Sequence, residues 1–217
     1  MRWFSFALNK QKGNRMIKNI IFDIGDVLVD FRWRALMDEL RLTEDEKNKF
    51  ETSVFGSKWW HELDLGVMEE EEVIKNMRAE NEEYVQAFDL VWENRGKLVK
   101  PRDYVIPFMD ELHNKGYKIY LLSNYPKNLF TMHAENGSFP FIDKVDGKVV
   151  SGFVKLVKPN ADIYKYLVDK YGLKPEECVF IDDRQENIDA AKALNWQGIV
   201  YKSEEQAKKD LYKILNV

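Results

Sequence analysis

Six polar residues of this chain stand where chemistry could be done: Asp23, Ser123, Asn124, Lys158, Asp182 and Asp183. Asp23 ends the apolar run "NIIFD", Ser123-Asn124 end "KIYLLSN", and Asp182-Asp183 end "VFIDD". Lys158, in "LVKPNADIY", stands just before a helical pattern. In open parallel sheets, ligands bind outside the carboxyl ends of the strands. If these runs are parallel strands, three acids, a hydroxyl and a lysine converge at one edge. Taken singly, an acid after a strand more often caps the next helix; the joint pattern carries the weight. Two unit charges about 4 Å apart interact by about 4 kcal/mol at an effective dielectric of 20, so crowded carboxylates call for a cation. An all-oxygen donor set without a Cys or His cluster points to Mg²⁺.

The elements that must position these groups are legible as pattern. Short apolar runs at Ile17–Phe22, Tyr117–Leu122 and Cys178–Ile181, with a weaker one at Gly198–Tyr201, read as strands buried on both faces. Helical patterns lie between them. "RDYVIPFMDELHNKG" stops at Gly116, with Pro107 near its start or at a kink, and "NADIYKYLVDKYG" runs from Asn160 as N-cap to Gly172. "RQENIDAAKALNW" is a further helix. Strand-helix alternation of this kind predicts an α/β fold with a Rossmann-like parallel sheet. Residues 33–98 break the rhythm with helical patterns alone, so a helical insert is expected there, within a core of residues 16–32 and 99–217. Residues 1–15, "MRWFSFALNKQKGNR", read as a basic extension outside the fold.

Composition narrows the function classes. The chain has 217 residues, 45% of them hydrophobic, and a net charge of −4. That supports a real core and gives no basic face for nucleic acid. No apolar run approaches the roughly 20 residues of a membrane span. One cysteine, Cys178, allows no internal disulfide and suits a reducing, cytoplasmic setting. Monomer and homodimer both stay open.

The ordered set "FDIGDV", "LLSN", "KPN" and "IDDRQENIDAA" resembles the four motifs of the haloacid dehalogenase-like hydrolases. The match is to the subgroup with a helical cap after the first strand, in the glucose-1-phosphatase-like and epoxide-hydrolase N-terminal-domain-like branch. The resemblance runs from Ile17 to Tyr201. It implies Asp23 as nucleophile, forming an aspartyl-phosphate that water hydrolyses. It implies Mg²⁺ between Asp23, the backbone carbonyl of Gly25 and Asp183, with Asp182 beside it as ligand or support. Ser123 and the N–H of Asn124 would hold phosphate oxygens, Lys158 would neutralise charge, and Asn187 would orient Asp182 or Asp183. The implied substrate is a small phosphorylated metabolite, with a sugar phosphate the best single choice.

One position departs from the pattern. Most phosphatases of this family carry an acid two residues after the nucleophile, and here stands Gly25. Asp26 is one candidate to supply the proton, although neighbouring side chains usually diverge. A good leaving group or a water could remove the need, as glucose-1-phosphatase-like relatives with the same glycine suggest. The reaction could instead be metal-free dehalogenation, which needs no proton, or the site could bind phosphate with little turnover. For the leaving group, "GSKWWHELDLG" offers Trp60 and His61, weighed against tryptophans that merely fill the helical core. His113 and His133 read as surface residues, and Tyr125 and Asn128 stay unassigned.

Overall fold

The computed structural model describes residues 16–217, so the expected N-terminal extension lies outside the described residues. Seven strands form among the described residues: β1 (Asn19–Phe22), β2 (Val29–Phe31), β3 (Val99–Pro101), β4 (Lys118–Ser123), β5 (Gly147–Val150), β6 (Cys178–Asp182) and β7 (Gln197–Val200). Five of them make one sheet in the order β5-β4-β1-β6-β7. Every pairing in it is parallel. β1 is central, with Phe22 level with Leu121 on one side and Ile181 on the other. The same register carries past the strand, where the Asp23 N–H donates to the Ile181 carbonyl at 2.9 Å.

The unbroken apolar runs have a physical reason. Successive side chains of a strand point to opposite faces. Ile20 and Phe22 enter one buried cluster with Ile119, Leu121, Val179 and Ile181. Ile21 enters a second, across the sheet, with Tyr120, Leu122 and Phe180. Both faces are covered by helices, among them Val105–Asn114, Ala161–Tyr171 and Gln185–Ala193. Gly116 (φ 87°) and Gly172 (φ 62°) end the first two in the left-handed region, as their positions in the sequence suggest. Asn160 holds the N-cap position of the second, but its side chain makes no capping bond.

Two strand features depart from the sequence reading. β5 does not stand out in the sequence, because "DGKVV" has too few apolar residues. It is an edge strand, and Gly147 is small because a Cβ there would meet the Tyr171 ring at 2.4 Å. β2 and β3 form a separate antiparallel ribbon, with Phe31 opposite Val99 and Val29 opposite Pro101. All elements from Trp33 to Lys97 are helical and lie in the chain between these two strands. They share an apolar cluster built on Met37, Phe50, Val73, Met77 and Phe88. Thr43 and Glu46 form a capping box at the start of Glu44–Phe50. No helix among the described residues is long and apolar enough to cross a membrane.

Candidate active site

The carboxyl ends of β1, β4 and β6 meet at a cavity of about 320 Å³. Asp23, Ser123, Lys158 and Asp183 line it, and so do Gly25, Asp26, Asn124 and Asn187. Trp60 and His61 reach it from the helical segment. Asp182 lies beneath, fully buried. A larger hollow of about 660 Å³ in the helical segment, lined by residues such as Glu70, Arg78 and Trp92, contains none of these groups.

Lys158 is the electrostatic centre. Its Nζ lies 2.8 Å from Asp23 Oδ1 and 2.6 Å from Asp182 Oδ2, with its side chain 2% exposed. Burial works against the ammonium, but the two carboxylates outweigh it and hold the Lys158 pKa above its ordinary value. Asp182 is the better satisfied acid. Its Oδ1 accepts from the Arg184 N–H at 2.8 Å, and Asn187 Nδ2 donates to both of its oxygens, at 2.9 and 3.0 Å. With both oxygens engaged, Asp182 acts as the anchor of Lys158. The backbone around Lys158 is fixed by the Asn124 side chain, which accepts from the Lys158 N–H at 2.8 Å and donates to its carbonyl at 3.0 Å.

Asp23 is held differently. Its Oδ1 is buried and is met by the Lys158 ammonium at 2.8 Å, with no other polar partner. Burial raises the Asp23 pKa, Lys158 pulls it down, and Asp182 pushes it up again, with a net rise. The Ser123 hydroxyl makes a long 3.5 Å contact to the Asn124 carbonyl and also lies near enough to Asp23 to help hold that carboxylate's charge. Asp183 is solvent-reached, and desolvation followed by Asp23 and Asp182 pushes its pKa up to about 7. Carboxylate oxygens of Asp23, Asp182 and Asp183 fall within 4.8 Å of one another. The Asp23 carboxylate, whose buried oxygen is partnered by Lys158 alone, beside the free Asp183 carboxylate fits a hard divalent cation, and the all-oxygen donor set fits Mg²⁺.

Geometry places the remaining candidate residues. Asp26 adopts φ 53°, and its Oδ1 accepts from the Phe31 N–H at 3.1 Å, so this carboxylate is spent on the loop into β2. Gly25 is not among the positive-φ glycines, and a Cβ there would meet nothing within 4 Å, so the missing acid is not excluded by space. Trp60 both lines the cavity and packs on Phe31 and Phe55, with ring centroids at 5.7 and 5.1 Å. His61 is exposed at the rim. His133 corrects the sequence reading: it is fully buried, not on a surface loop. The helix Lys127–Glu135 turns it inward, where Nδ1 meets the Tyr125 hydroxyl at 2.6 Å and Nε2 the Arg95 carbonyl at 3.1 Å.

The family model described as haloacid dehalogenase-like hydrolase matches residues 17–195. The chain belongs to the haloacid dehalogenase-like hydrolases. Among curated members, D-ribitol-5-phosphate phosphatase of Bacteroides thetaiotaomicron is 28% identical over 219 residues, covering 93% of this chain and 100% of that protein. The sesquiterpene phosphatase astK of Aspergillus oryzae is 23% identical over 186 residues, covering 84% and 88%. A solved haloacid dehalogenase-like structure, had family enzyme bt-2542 of Bacteroides thetaiotaomicron in complex with magnesium and inorganic phosphate, superposes with a TM-score of 0.66. It is 22% identical and covers 87% of this chain and 96% of that one, which establishes the shared fold.

One acid lining the cavity escaped the sequence reading. Asp64, on the helix Lys58–Leu65, lines the cavity, and its Oδ1 is buried without a partner. Burial pushes its pKa up to about 7, with Lys158 opposing and Asp23 adding to the rise. The available signal was its spacing: Asp64 follows His61 by three residues, which puts both on one helix face.

Proposed function

We propose that this hydrolase is a Mg²⁺-dependent phosphomonoesterase for a small phosphorylated metabolite, a sugar or polyol phosphate, working through an aspartyl-phosphate on Asp23. The observation that carries the reading is the pairing of a buried, lysine-neutralised carboxylate on Asp23 with the free Asp183 carboxylate. Lys158 opposes the rise that burial gives the Asp23 pKa, favouring its carboxylate form, and lowers the repulsion met by an incoming phosphate. Ser123 and the Asn124 N–H bind phosphate oxygens and set phosphorus in line with Asp23. Asp182, Asn187 and Asn124 lock Lys158 in place, so this charge needs no reorganisation during reaction. Asp23, the Gly25 carbonyl and Asp183 would hold Mg²⁺, which supplies charge neutralisation of the phosphoryl group when bound.

The helical segment 33–98 serves as a cap that reads the leaving group and closes on the β2–β3 ribbon. A cavity of about 320 Å³ suits a small ligand, and its rim of Trp60, His61 and Asp64 suits a hydroxyl-bearing one. The likeness to D-ribitol-5-phosphate phosphatase supports the same class. The acid pair Asp182-Asp183 supports a metal, and so favours phosphate over haloacid. The test is a panel of sugar and polyol phosphates with Mg²⁺ and with chelator, run beside 2-haloacids. Phosphate release that stops with chelator is expected. Metal-independent halide release without phosphate release would overturn the proposal.

A further inference from the structure

We propose that Asp64 is the acid–base residue of this site, reaching the leaving group from the cap and doing the work that Gly25 cannot do. This rests on the phosphatase reading above. In-line displacement puts the leaving oxygen on the far side of phosphorus from Asp23. That is the side the helical segment covers, and Asp64 is its carboxyl group in the cavity. Asp64 lines the cavity, and its Oδ1 is buried with no hydrogen-bond partner, so its capacity is unspent. The other nearby carboxyl candidate, Asp26, is committed to the Phe31 N–H, and His61 stands exposed at the rim.

The backbone that carries Asp64 is pinned to the core. Ser151 Oγ accepts from the Tyr125 N–H at 2.9 Å and donates to the Asp64 carbonyl. Two residues on, Gly66 (φ 67°) packs so tightly that a Cβ would meet the Gly152 carbonyl oxygen at 2.6 Å. Such anchoring is what an acid on a cap needs if it is to return to one place at each closure. A pKa near 7, raised first by burial, makes both protonation states accessible at neutral pH. The groups that bear on it are Lys158, Asp23 and Arg184 of the core, Tyr125 after β4, and His61 on its own helix.

The steps balance. As Asp23 bonds to phosphorus and the ester P–O bond breaks, protonated Asp64 gives its proton to the departing alkoxide oxygen, and the alcohol leaves. Asp64, now a carboxylate, takes a proton from water as that water attacks phosphorus. The P–O bond to Asp23 breaks, inorganic phosphate leaves, and Asp64 is protonated again.

The test compares the parent enzyme with Asp64→Asn, in Mg²⁺, on ribitol 5-phosphate and on p-nitrophenyl phosphate. For the alkyl ester, kcat/KM should fall by about 10²–10⁴-fold, the usual worth of a general acid. For the aryl ester, whose nitrophenolate leaves unaided, kcat/KM should fall at least 10-fold less. Asp64→Asn should also show a burst of nitrophenolate followed by slow turnover, because the aspartyl-phosphate has lost its base. Adding Gly25→Asp to Asp64→Asn should recover at least 10-fold on the alkyl ester, since position 25 has room. A thermal midpoint of Asp64→Asn no lower than the parent's is expected of a residue with an unspent buried oxygen. Equal losses on both esters without a burst, together with a lowered midpoint, would overturn the assignment and make Asp64 structural. A parent enzyme that releases phosphate from neither ester would overturn both this and the phosphatase reading.

Discussion

Replacing Lys158 by Met tests the electrostatics of the site apart from its chemistry. The substitution keeps volume and removes the ammonium that lies 2.8 Å from Asp23 and 2.6 Å from Asp182. Removing one partner of a buried ion pair costs about 3–5 kcal/mol, because the remaining charge is stranded. Asp182 keeps the Arg184 N–H and Asn187, so the lower end, about 3 kcal/mol, is expected. At about 2–4 °C per kcal/mol for a chain of this size, the thermal midpoint falls by about 6–12 °C. The deficit should shrink as pH falls from about 8 to about 5, since protonation discharges the stranded carboxylates. It should also shrink in Mg²⁺, because the variant, lacking the competing ammonium, binds the ion more tightly than the parent, and binding stabilises by about 2.7 kcal/mol at a hundredfold excess over the dissociation constant. Lys158→Met/Asp182→Asn should recover part of the loss. Differential scanning calorimetry of both variants and the parent, in EDTA and in Mg²⁺, reads all of these effects. A shift under about 2 °C for Lys158→Met at about pH 8 in EDTA would refute this electrostatic account, because it would mean that Lys158 neutralises nothing that matters.

Three further outcomes are expected. Asp64 and Asp183 have folded pKa values of about 7, above the ordinary 3.8, so between these values the native state holds more protons than the unfolded chain. The stability that these two groups contribute without metal is therefore greatest at low pH and declines as pH rises through about 7, which urea midpoints at about pH 5 and about pH 8 in EDTA will show. Asn187→Ala strips Asp182 of two donated bonds in a buried setting and should cost about 1–3 kcal/mol, with a fall in kcat as Lys158 loosens. Gly152→Ala puts a Cβ 2.5 Å from the Lys127 nitrogen and 2.8 Å from the Tyr125 carbonyl oxygen. It should lower both the midpoint and kcat, and an unchanged kcat would show that this contact does not position the helical segment over the cavity.

How far the sequence discloses the molecule follows from where its information is local. The strand ends at Asp23, Ser123 and Asp182 were legible because an apolar run that stops on a polar group is a signal within a few residues. The convergence of those ends was legible from the parallel-sheet rule. Less accessible was the division of labour between Asp182 and Asp183. It depends on Asn187 and Arg184 saturating the first of them, a matter of helix geometry after β6. The β2–β3 ribbon escaped because its strands are short and pair across the whole helical segment. His133 escaped because its burial is decided by partners on distant elements, Tyr125 and Arg95. Asp64 sat in plain view within "WWHELDLG", but only the fold places that helix over Asp23.

The ribbon has a consequence for how such a protein changes. Phe31 and Val99, the residues that bracket the helical segment, are paired across two strands, and Arg102 ties the junction to Asp30 at 2.7 Å and to the Tyr201 hydroxyl at 2.7 Å. The insertion therefore leaves and re-enters at one doorway, already closed by backbone hydrogen bonds. The entropy of closing a loop grows only slowly with its length, so the core is nearly indifferent to what is spliced in. The carboxylates and the lysine proposed to react lie on one side of that doorway and most of the segment proposed to read the substrate on the other. On that reading, selection can rewrite or exchange the helical segment as a cassette while the cavity's carboxylates and lysine stay put, and a protein engineer can graft at the same two residues.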